Sequence, residues 1–114
     1  MNIEETVSNL ILELRRGTLI LLVLSQLEKP TYGYNLVSVL EEGGVPVEAN
    51  TLYPLMRRLE GQGLLKSEWE TGGSKPRKYY VLTEDGKTVL EKVKKHWTDF
   101  SQKVDMLLEG NEND

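Results

Sequence analysis

Hydrophobic residues recur with a helical period along most of this chain and with a strand period in one short stretch. From about Ile3 to Leu27 they form first a stripe and then the unbroken run LILLVL, which predicts an amphipathic helix whose second half is buried. Pro30 ends this helix, because proline disfavours helical backbone in the residue before it. A second helix is predicted to start at a Thr31 cap and to stop at Gly43. Its inner residues would be Tyr34, Leu36, Val37 and Leu40.

A third helical segment runs from about Ala49 to Gln62 and is followed by a change of period. Its apolar residues lie at positions i, i+3, i+4 and i+7, and they are Leu52, Leu55, Met56 and Leu59. The stretches LLKSEWE and RKYYVLT then alternate as strands do, and the glycine-containing TGGSKP between them predicts a hairpin loop. Thr83 is placed to cap a last helix, whose first turn holds the acidic residues that the helix dipole favours.

The order helix, helix, helix, hairpin, helix is the layout of a winged helix-turn-helix protein, in which the hairpin is the wing. The sequence therefore predicts a mainly α fold with a small β-hairpin. Residues 1–83 would form the DNA-binding domain together with its N-terminal helix. Residues 84–108 would form a C-terminal dimerisation helix, and residues 109–114 a disordered polar tail.

Composition and charge limit the classes of function. The 114 residues suffice for one domain, and 18 acidic against 14 basic residues give a net charge of −4. The basic residues are concentrated between Arg57 and Lys78, so the average charge does not argue against DNA binding. With no cysteine and a single histidine, His96, the chain offers no metal or cofactor site and no credible catalytic set. Without a signal peptide or a long apolar segment, it is expected to be cytoplasmic.

The polar face of the third helix has the composition of a recognition helix. Opposite the apolar stripe lie Asn50, Pro54 and Arg57, flanked by Thr51, Tyr53 and Arg58. In a major groove, arginine pairs with guanine and asparagine with adenine, while hydroxyl groups bond phosphates. A solvated polar face is the alternative, and the preceding helix and the basic hairpin favour DNA. Pro54 lacks the N–H of a helical hydrogen bond, which leaves the start of this helix open.

The hairpin carries three basic residues close together: Lys75, Arg77 and Lys78. They are candidates for contacts to the neighbouring minor groove or to phosphates, with a solvated loop as the alternative. Tyr79 and Tyr80 are neighbours on a strand and face opposite sides of it, which predicts that one of them packs inward. Trp69 on the partner strand is predicted to be a packing residue of the hairpin.

Apolar residues of the last helix form a heptad seam. Their spacing is 3, 4, 3, 4, 3, and they are Leu90, Val93, Trp97, Phe100, Val104 and Leu107. A seam of this length predicts packing against a second copy of the chain, and a two-fold dimer would present two recognition helices to two half-sites. Packing on the N-terminal helix of the same chain is the alternative. Trp97 and Phe100 are also the candidates for a small-molecule site, although aromatic pairs at an interface more often belong to a core.

Five segments of the chain carry recognisable motifs: RGTLILLVLSQL, TYGYNLVSVLEE, NTLYPLMRRLEGQGLL, SEWE and GGSKPRKYYVLTEDGK, which cover about Arg16 to Lys87. Together they resemble the PadR family of bacterial transcriptional regulators. The runs T-L-Y-P…R-L-E…G-L and R-K-Y-Y-x-L-T-E-x-G are the most specific of these motifs. The single C-terminal helix is similar to that of the short subfamily.

This resemblance implies a homodimeric repressor that binds a pseudo-palindromic operator through the third helix and the wing. It also implies release from DNA by small aromatic or hydrophobic compounds. The implied DNA-facing positions are Asn50, Thr51 and Tyr53, with Lys75, Arg77 and Lys78 in the wing. Trp97 stands where some multidrug-responsive members carry an aromatic residue. Asn50 replaces the glycine that is common before T-L-Y, which implies different base contacts at that position.

Two other functions remain open on the residues alone. The acidic total is compatible with a winged-helix module that binds protein, and the aromatic pair with a small-molecule binding protein that has no specific DNA site. Salt dependence separates the first from a DNA-binding dimer, which would lose roughly 10³–10⁵-fold in affinity between about 50 and 200 mM salt if it neutralised about 6–10 phosphates. Saturable quenching of Trp97 without an effect on DNA would favour the second.

Overall fold

Four helices and a three-stranded antiparallel sheet are formed by residues 1–110, which are the residues that this computed structural model describes. The helices are α1 (Ile3–Ser25), α2 (Gly33–Glu42), α3 (Ala49–Gly61) and α4 (Glu84–Glu109). The strands are β1 (Thr31–Tyr32), β2 (Leu65–Glu70) and β3 (Arg77–Leu82). The predicted mainly α winged helix-turn-helix fold is confirmed. The predicted tail begins at the last residue of α4, and its residues 111–114 lie outside the described part of the chain.

Helix α1 is buried in its second half and exposed in its first. The side chain of Asn2 caps it by accepting the N–H of Glu5 at 3.1 Å. The second half buries Leu19, Val23 and Leu24, as the apolar run predicts. In the first half, the apolar stripe is exposed in the single chain; it consists of Val7, Leu10, Ile11 and Leu14. An apolar stripe of this kind is typical of a surface that another protein covers.

Thr31 does not cap α2, contrary to the sequence prediction. Thr31 and Tyr32 form β1, which pairs with β3 so that Thr31 lies opposite Tyr80 and Tyr32 opposite Tyr79. The Thr31 hydroxyl donates to the carbonyl oxygen of Lys29 at 2.9 Å, and Tyr32 becomes the N-cap residue without a side-chain hydrogen bond. The reason is the edge of β3, whose backbone groups need partners and find them in this extended segment.

Strand β3 lies between β1 and β2, and β2 and β3 pair antiparallel along all six residues of each. Because side chains alternate along a strand, the sheet has two faces. The inner face holds Leu65, Trp69, Lys78 and Tyr80, and the outer face holds Tyr32, Glu68, Glu70, Arg77 and Tyr79. Tyr80 is 5% exposed, whereas Tyr79 is half-buried. The predicted split between the two adjacent tyrosines is therefore confirmed.

The core lies where the second half of α1, α2, α3 and the inner face of the sheet meet. Its most deeply buried side chains are Val23, Leu24, Leu27, Leu36, Leu52, Met56, Leu59 and Leu65. Leu27 also ties the end of α1 to the sheet, since its carbonyl oxygen accepts the N–H of Leu82 at 2.8 Å. Tyr34, predicted as an inner residue of α2, is instead 51% exposed, because its ring stacks on Tyr32 at the edge of the sheet.

The first turns of α4 are fixed to the base of the wing. Thr83 caps the helix as predicted, accepting the N–H of Gly86 at 2.9 Å. Its hydroxyl donates to the carbonyl oxygen of Gly63 at 2.6 Å, and Gly63 has a φ of +82°, a conformation that favours glycine. Gly86 lies against the backbone of Leu64 without a side chain between them. Leu90 follows one turn later and is buried in the core at 3% exposure.

Beyond Leu90, α4 leaves the core and the molecule becomes elongated. The described chain measures 64 × 36 × 23 Å with a radius of gyration of 17.2 Å. A compact chain of this length would have a radius of gyration of about 13 Å. Helices α1 and α4 contact each other, and their outer parts carry most of the exposed large apolar side chains. The two projecting helices therefore do not bury their outer apolar side chains against each other, and these side chains remain exposed in the single chain.

Candidate nucleic-acid interface

The polar face of α3 is open to solvent. Leu52, Met56 and Leu59 are buried and fix the opposite face to the core, as the predicted stripe requires. The exposed residues of the polar face are Asn50, Thr51, Pro54, Arg57 and Arg58, with Tyr53 half-buried beside them. Within residues 1–110, both ion pairs lie on α4, so neither arginine is neutralised by a carboxylate. Their guanidinium groups are available to an external anion or to base edges.

Pro54 lies inside α3 and does not mark its start. The helix begins at Ala49, with Glu48 as an N-cap residue that makes no side-chain cap hydrogen bond. Because Pro54 has no N–H, the carbonyl oxygen of Asn50 lacks the helical donor that would lie four residues on. The proline ring is exposed, so the helix carries it on the solvent side, where a small bend is tolerated. The first turn of α3 therefore presents a backbone carbonyl oxygen without its usual helical donor, together with the Asn50 side chain.

A cleft of about 590 Å³ separates the start of α3 from the wing. Its wall on the α3 side is Tyr53, and its wall on the wing side holds Lys75, Arg77 and Lys78. The Nζ atom of Lys78 lies 5.8 Å from the ring centre of Trp69 and 5.3 Å from that of Tyr80, which holds this cation on the inner face of the sheet. The cleft thus combines aromatic surface with positive charge, a combination suited to a nucleic-acid backbone.

Two cleft residues were missed by the sequence prediction. Trp69 was assigned to hairpin packing, yet it is 61% exposed and lines the cleft. Tyr34 was assigned to the core, yet it also lines the cleft. The signal for Trp69 was present in the alternation of β2, which places it on the same face as Lys78, whereas nothing in the helical period of α2 distinguishes Tyr34 from a core residue.

On the outer face of the sheet, two tyrosines bind two carboxylates. The Tyr32 hydroxyl donates to Glu70, and the Tyr79 hydroxyl donates to Glu68 at 2.8 Å. Each hydrogen bond to a carboxylate raises the pKa of its phenol, with desolvation and the neighbouring negative charge adding to the effect. The two glutamates of the wing are therefore engaged by neutral donors and leave the basic residues unpaired.

These raised pKa values predict a late ionisation of Tyr32 and Tyr79. A phenol whose pKa is raised by folding stabilises the folded state below its ordinary pKa of 10.0, and this contribution disappears as the pH rises through the raised value. We expect tyrosinate absorbance to show late-titrating groups, and Tyr32→Phe to remove one of them. Glu70→Gln should move the Tyr32 transition to lower pH, and the absence of any such movement would contradict this assignment.

The residues of the predicted seam fall into two groups. Leu90 is buried in the core of its own chain, so it is not available for contact with a second copy. The other members face outwards and are half-buried or exposed: Val93, Trp97, Phe100, Val104 and Leu107. The candidate ligand residues Trp97 and Phe100 are 43% and 48% exposed, and the ring of Phe100 stacks on His96 with centroids 5.6 Å apart.

Residues 1–110 contain neither a cluster of metal-binding side chains nor a membrane-spanning helix. No group of three or more histidine, aspartate or glutamate side chains there is arranged to hold a metal ion. None of the helices of that segment has the length and apolar character needed to cross a membrane.

Comparison with known sequences identifies the family. The sequence model described as the Transcriptional regulator PadR-like family matches residues 20–92, from the buried part of α1 to the start of α4. The chain belongs to the PadR-like family. The matched region contains the α3 face, the cleft and the wing, so the features described above lie within the part that PadR-like proteins share. The family consists of transcriptional regulators and gives no support to a catalytic role.

Solved structures and a curated relative agree with this assignment. A PadR family transcriptional regulator from Eggerthella lenta is 59% identical, with a TM-score of 0.90 over 97% of this chain and 99% of that chain. A transcriptional regulator of Mycobacterium tuberculosis is 30% identical over 77 residues, or 68% of this chain and 72% of the relative. Bacillus subtilis PadR, solved in complex with operator DNA, is 28% identical with a TM-score of 0.60 over 65% of this chain. That match covers 45% of the Bacillus subtilis chain.

Proposed function

We propose that this PadR-like protein is a homodimeric repressor that binds a pseudo-palindromic DNA operator and is released from it by a small aromatic or hydrophobic compound. The observation that carries the proposal is the cleft between α3 and the wing, where unpaired basic residues and exposed aromatic residues border one side of the molecule. A member of the same family has been solved on operator DNA, which supports the choice of DNA over a protein partner. Such a regulator would act in the cytoplasm.

In this proposal, α3 contacts base edges and the wing contacts the neighbouring backbone or minor groove. The α3 contacts would come from Asn50, Thr51, Tyr53, Pro54, Arg57 and Arg58, and the wing contacts from its basic residues Lys75, Arg77 and Lys78. Arg57 lies in the middle of the exposed face and has the side chain best suited to a bidentate bond with guanine. Asn50 lies in the first turn, where recognition helices approach the groove.

The dimer is supported by the apolar surface that a single chain leaves open. The exposed stripe of α1 and the outward residues of α4 belong to two helices that contact each other. A second copy related by a two-fold axis would cover both stripes at once and would place the two α3 helices on the same side. An inducer would bind beside Trp97 and Phe100, where aromatic rings lie at the proposed interface.

The experiment that tests the function is a selection of genomic fragments by the purified protein at about 150 mM salt, a concentration at which nonspecific phosphate binding is weak. Sequencing of the bound fragments should reveal a two-fold symmetric site with half-sites about one helical turn apart. A result in which no fragment is enriched over random DNA would overturn the proposal and favour a protein partner.

Arg57→Ala is expected to weaken operator binding by about 10- to 100-fold and to relax the preference for one base pair in each half-site, since a bidentate arginine–guanine pair contributes about 1–3 kcal/mol of discrimination. Binding to operator variants, measured by fluorescence anisotropy, checks both effects. Lys95→Ala is the matched control, because it removes one positive charge from an exposed position on α4. Equal affinity and unchanged base preference in the two variants would remove Arg57 from the base-contacting set.

A further inference from the structure

Arg77 is joined to the start of α2 by contacts that the other two wing cations do not make within residues 1–110. It stands at the start of β3, opposite Glu70 in the register of the hairpin. Its guanidinium carbon lies 5.2 Å from the ring centre of Tyr32, and its Nη1 donates to the Tyr34 hydroxyl at 3.4 Å. These two tyrosines flank Gly33, the first residue of α2. All three wing cations line the cleft, but Lys75 and Lys78 make no hydrogen bond to α2 within residues 1–110.

The two tyrosines form a fixed platform for the guanidinium. Their rings are parallel, with an interplanar angle of 2° and centroids 5.7 Å apart. Tyr32 is held further by backbone pairing with Tyr79, by an edge contact to the ring of Tyr79 and by the hydrogen bond to Glu70. Arg77 therefore binds a surface that is part of the sheet and part of the start of α2 at the same time.

The start of α2 is in turn packed directly on the recognition helix. A Cβ at Gly33 would lie 3.0 Å from Cε1 of Tyr53, so the backbone of α2 approaches that ring without an intervening side chain. Tyr53 belongs to the first half of α3, next to the polar face. A short path thus connects the base of the wing to α3 through Arg77, the tyrosine platform and Gly33.

We propose that Arg77 is a positioning residue that fixes the wing relative to α3 and thereby presents Lys75 and Lys78 to DNA. Arginine is suited to this role because its planar group stacks on one ring and donates to a second group at once, which lysine does not do. The proposal rests on the proposed DNA-binding function and assigns a separate task to one residue of that site.

The test separates loss of charge from loss of position. Arg77→Lys keeps the charge but removes the planar group, and we expect it to weaken operator binding of the full-length protein by about tenfold, as the loss of a stacked and hydrogen-bonded cation implies. Arg16→Lys, at an exposed position of α1, is the matched control and should bind as the wild type does. An Arg77→Lys variant with wild-type affinity would overturn the proposal, because lysine would then serve equally well as a phosphate contact.

A double-mutant cycle gives the second readout. If Arg77 positions the wing, Lys75→Ala should weaken binding several-fold in the wild type and less than about twofold in the Arg77→Lys background, because coupled residues are not additive. Effects that multiply would instead indicate two independent DNA contacts and would refute the positioning role. Thermal unfolding of each variant verifies that the fold is kept, which is expected since Arg77 is exposed.

Hydrogen exchange of the wing distinguishes failure of this inference from failure of the proposed function. If the wild-type protein selects no operator, DNA binding is wrong and the exchange of the β2–β3 amides decides the positioning role alone. Faster exchange in Arg77→Lys than in Arg16→Lys would support a wing held by Arg77. Equal exchange in the two variants would show that the wing is held by the rest of the sheet.

Discussion

Gly86→Ala is expected to lower the free energy of unfolding by about 2–4 kcal/mol, a large part of the stability of a domain of this size. The methyl group would overlap the carbonyl oxygen of Leu64, and the side chain of Leu82 lies close on the other side. A backbone oxygen cannot move aside as a flexible side chain does, so α4 must shift at its first turn. That shift would strain the Thr83 cap and withdraw Leu90 from the core.

Urea unfolding followed by circular dichroism measures this effect, and Gly61→Ala is its matched control. Gly61 is the last residue of α3, and a methyl group there meets no atom within 4 Å. Alanine is a better helix former than glycine, so this control should be stabilised by about 0.5 kcal/mol. A Gly86→Ala variant as stable as the control would show that the junction between Leu64 and α4 is looser than its geometry indicates.

Trp97→Asp is expected to raise the dissociation constant of the proposed dimer by about 100-fold or more, since each protomer would bring an unpaired carboxylate into an apolar contact. The protomer itself should stay folded, because Trp97 is 43% exposed in the single chain and is not part of the buried core. Operator binding should fall with the dimer, as each half-site would then be bound independently. Sedimentation velocity over a range of concentrations measures the dissociation constant.

Gln102→Asp is the matched control for this substitution. Gln102 is exposed and lies five residues after Trp97, which places it on nearly the opposite side of α4. The control introduces the same charge and should leave the dimer intact. A Trp97→Asp protein that stays dimeric at the concentrations where the control does would contradict the seam, and would direct attention to the stripe of α1 as a separate contact.

Periodicity was sufficient to predict the helices and the hairpin, because each buries one face and its apolar residues repeat accordingly. Residue type predicted the Thr83 cap of α4, and periodicity predicted the buried and exposed faces of α3. It failed for β1, whose two residues have no period and are extended only because β3 offers them backbone partners. The cap predicted at Thr31 was wrong for the same reason.

The heptad pattern of α4 illustrates a second limit. Leu90 and Trp97 occupy equivalent positions of the repeat, yet Leu90 is buried in its own chain and Trp97 is largely open. A heptad pattern of apolar residues indicates that one face of a helix is buried, but it does not indicate whether the same chain or a second chain buries it. The aromatic lining of the cleft could not be predicted from the sequence either, since Tyr34 and Trp69 line one cleft only because the fold places α2 beside the wing.

The direct junction of β3 and α4 has a mechanical consequence for regulation. Strand β3 ends at Leu82 and α4 begins at Glu84, so a single residue joins them, and Thr83 is bound on both sides. With 26 residues, α4 is a rod about 39 Å long. A tilt of about 5° about its far end would therefore move the wing and α3 by about 3 Å, with no slack to absorb it. In the proposed dimer, a compound that changed the angle between the two α4 helices would move the wing and α3 about twice as far as it moved Trp97, because Trp97 lies near the middle of α4.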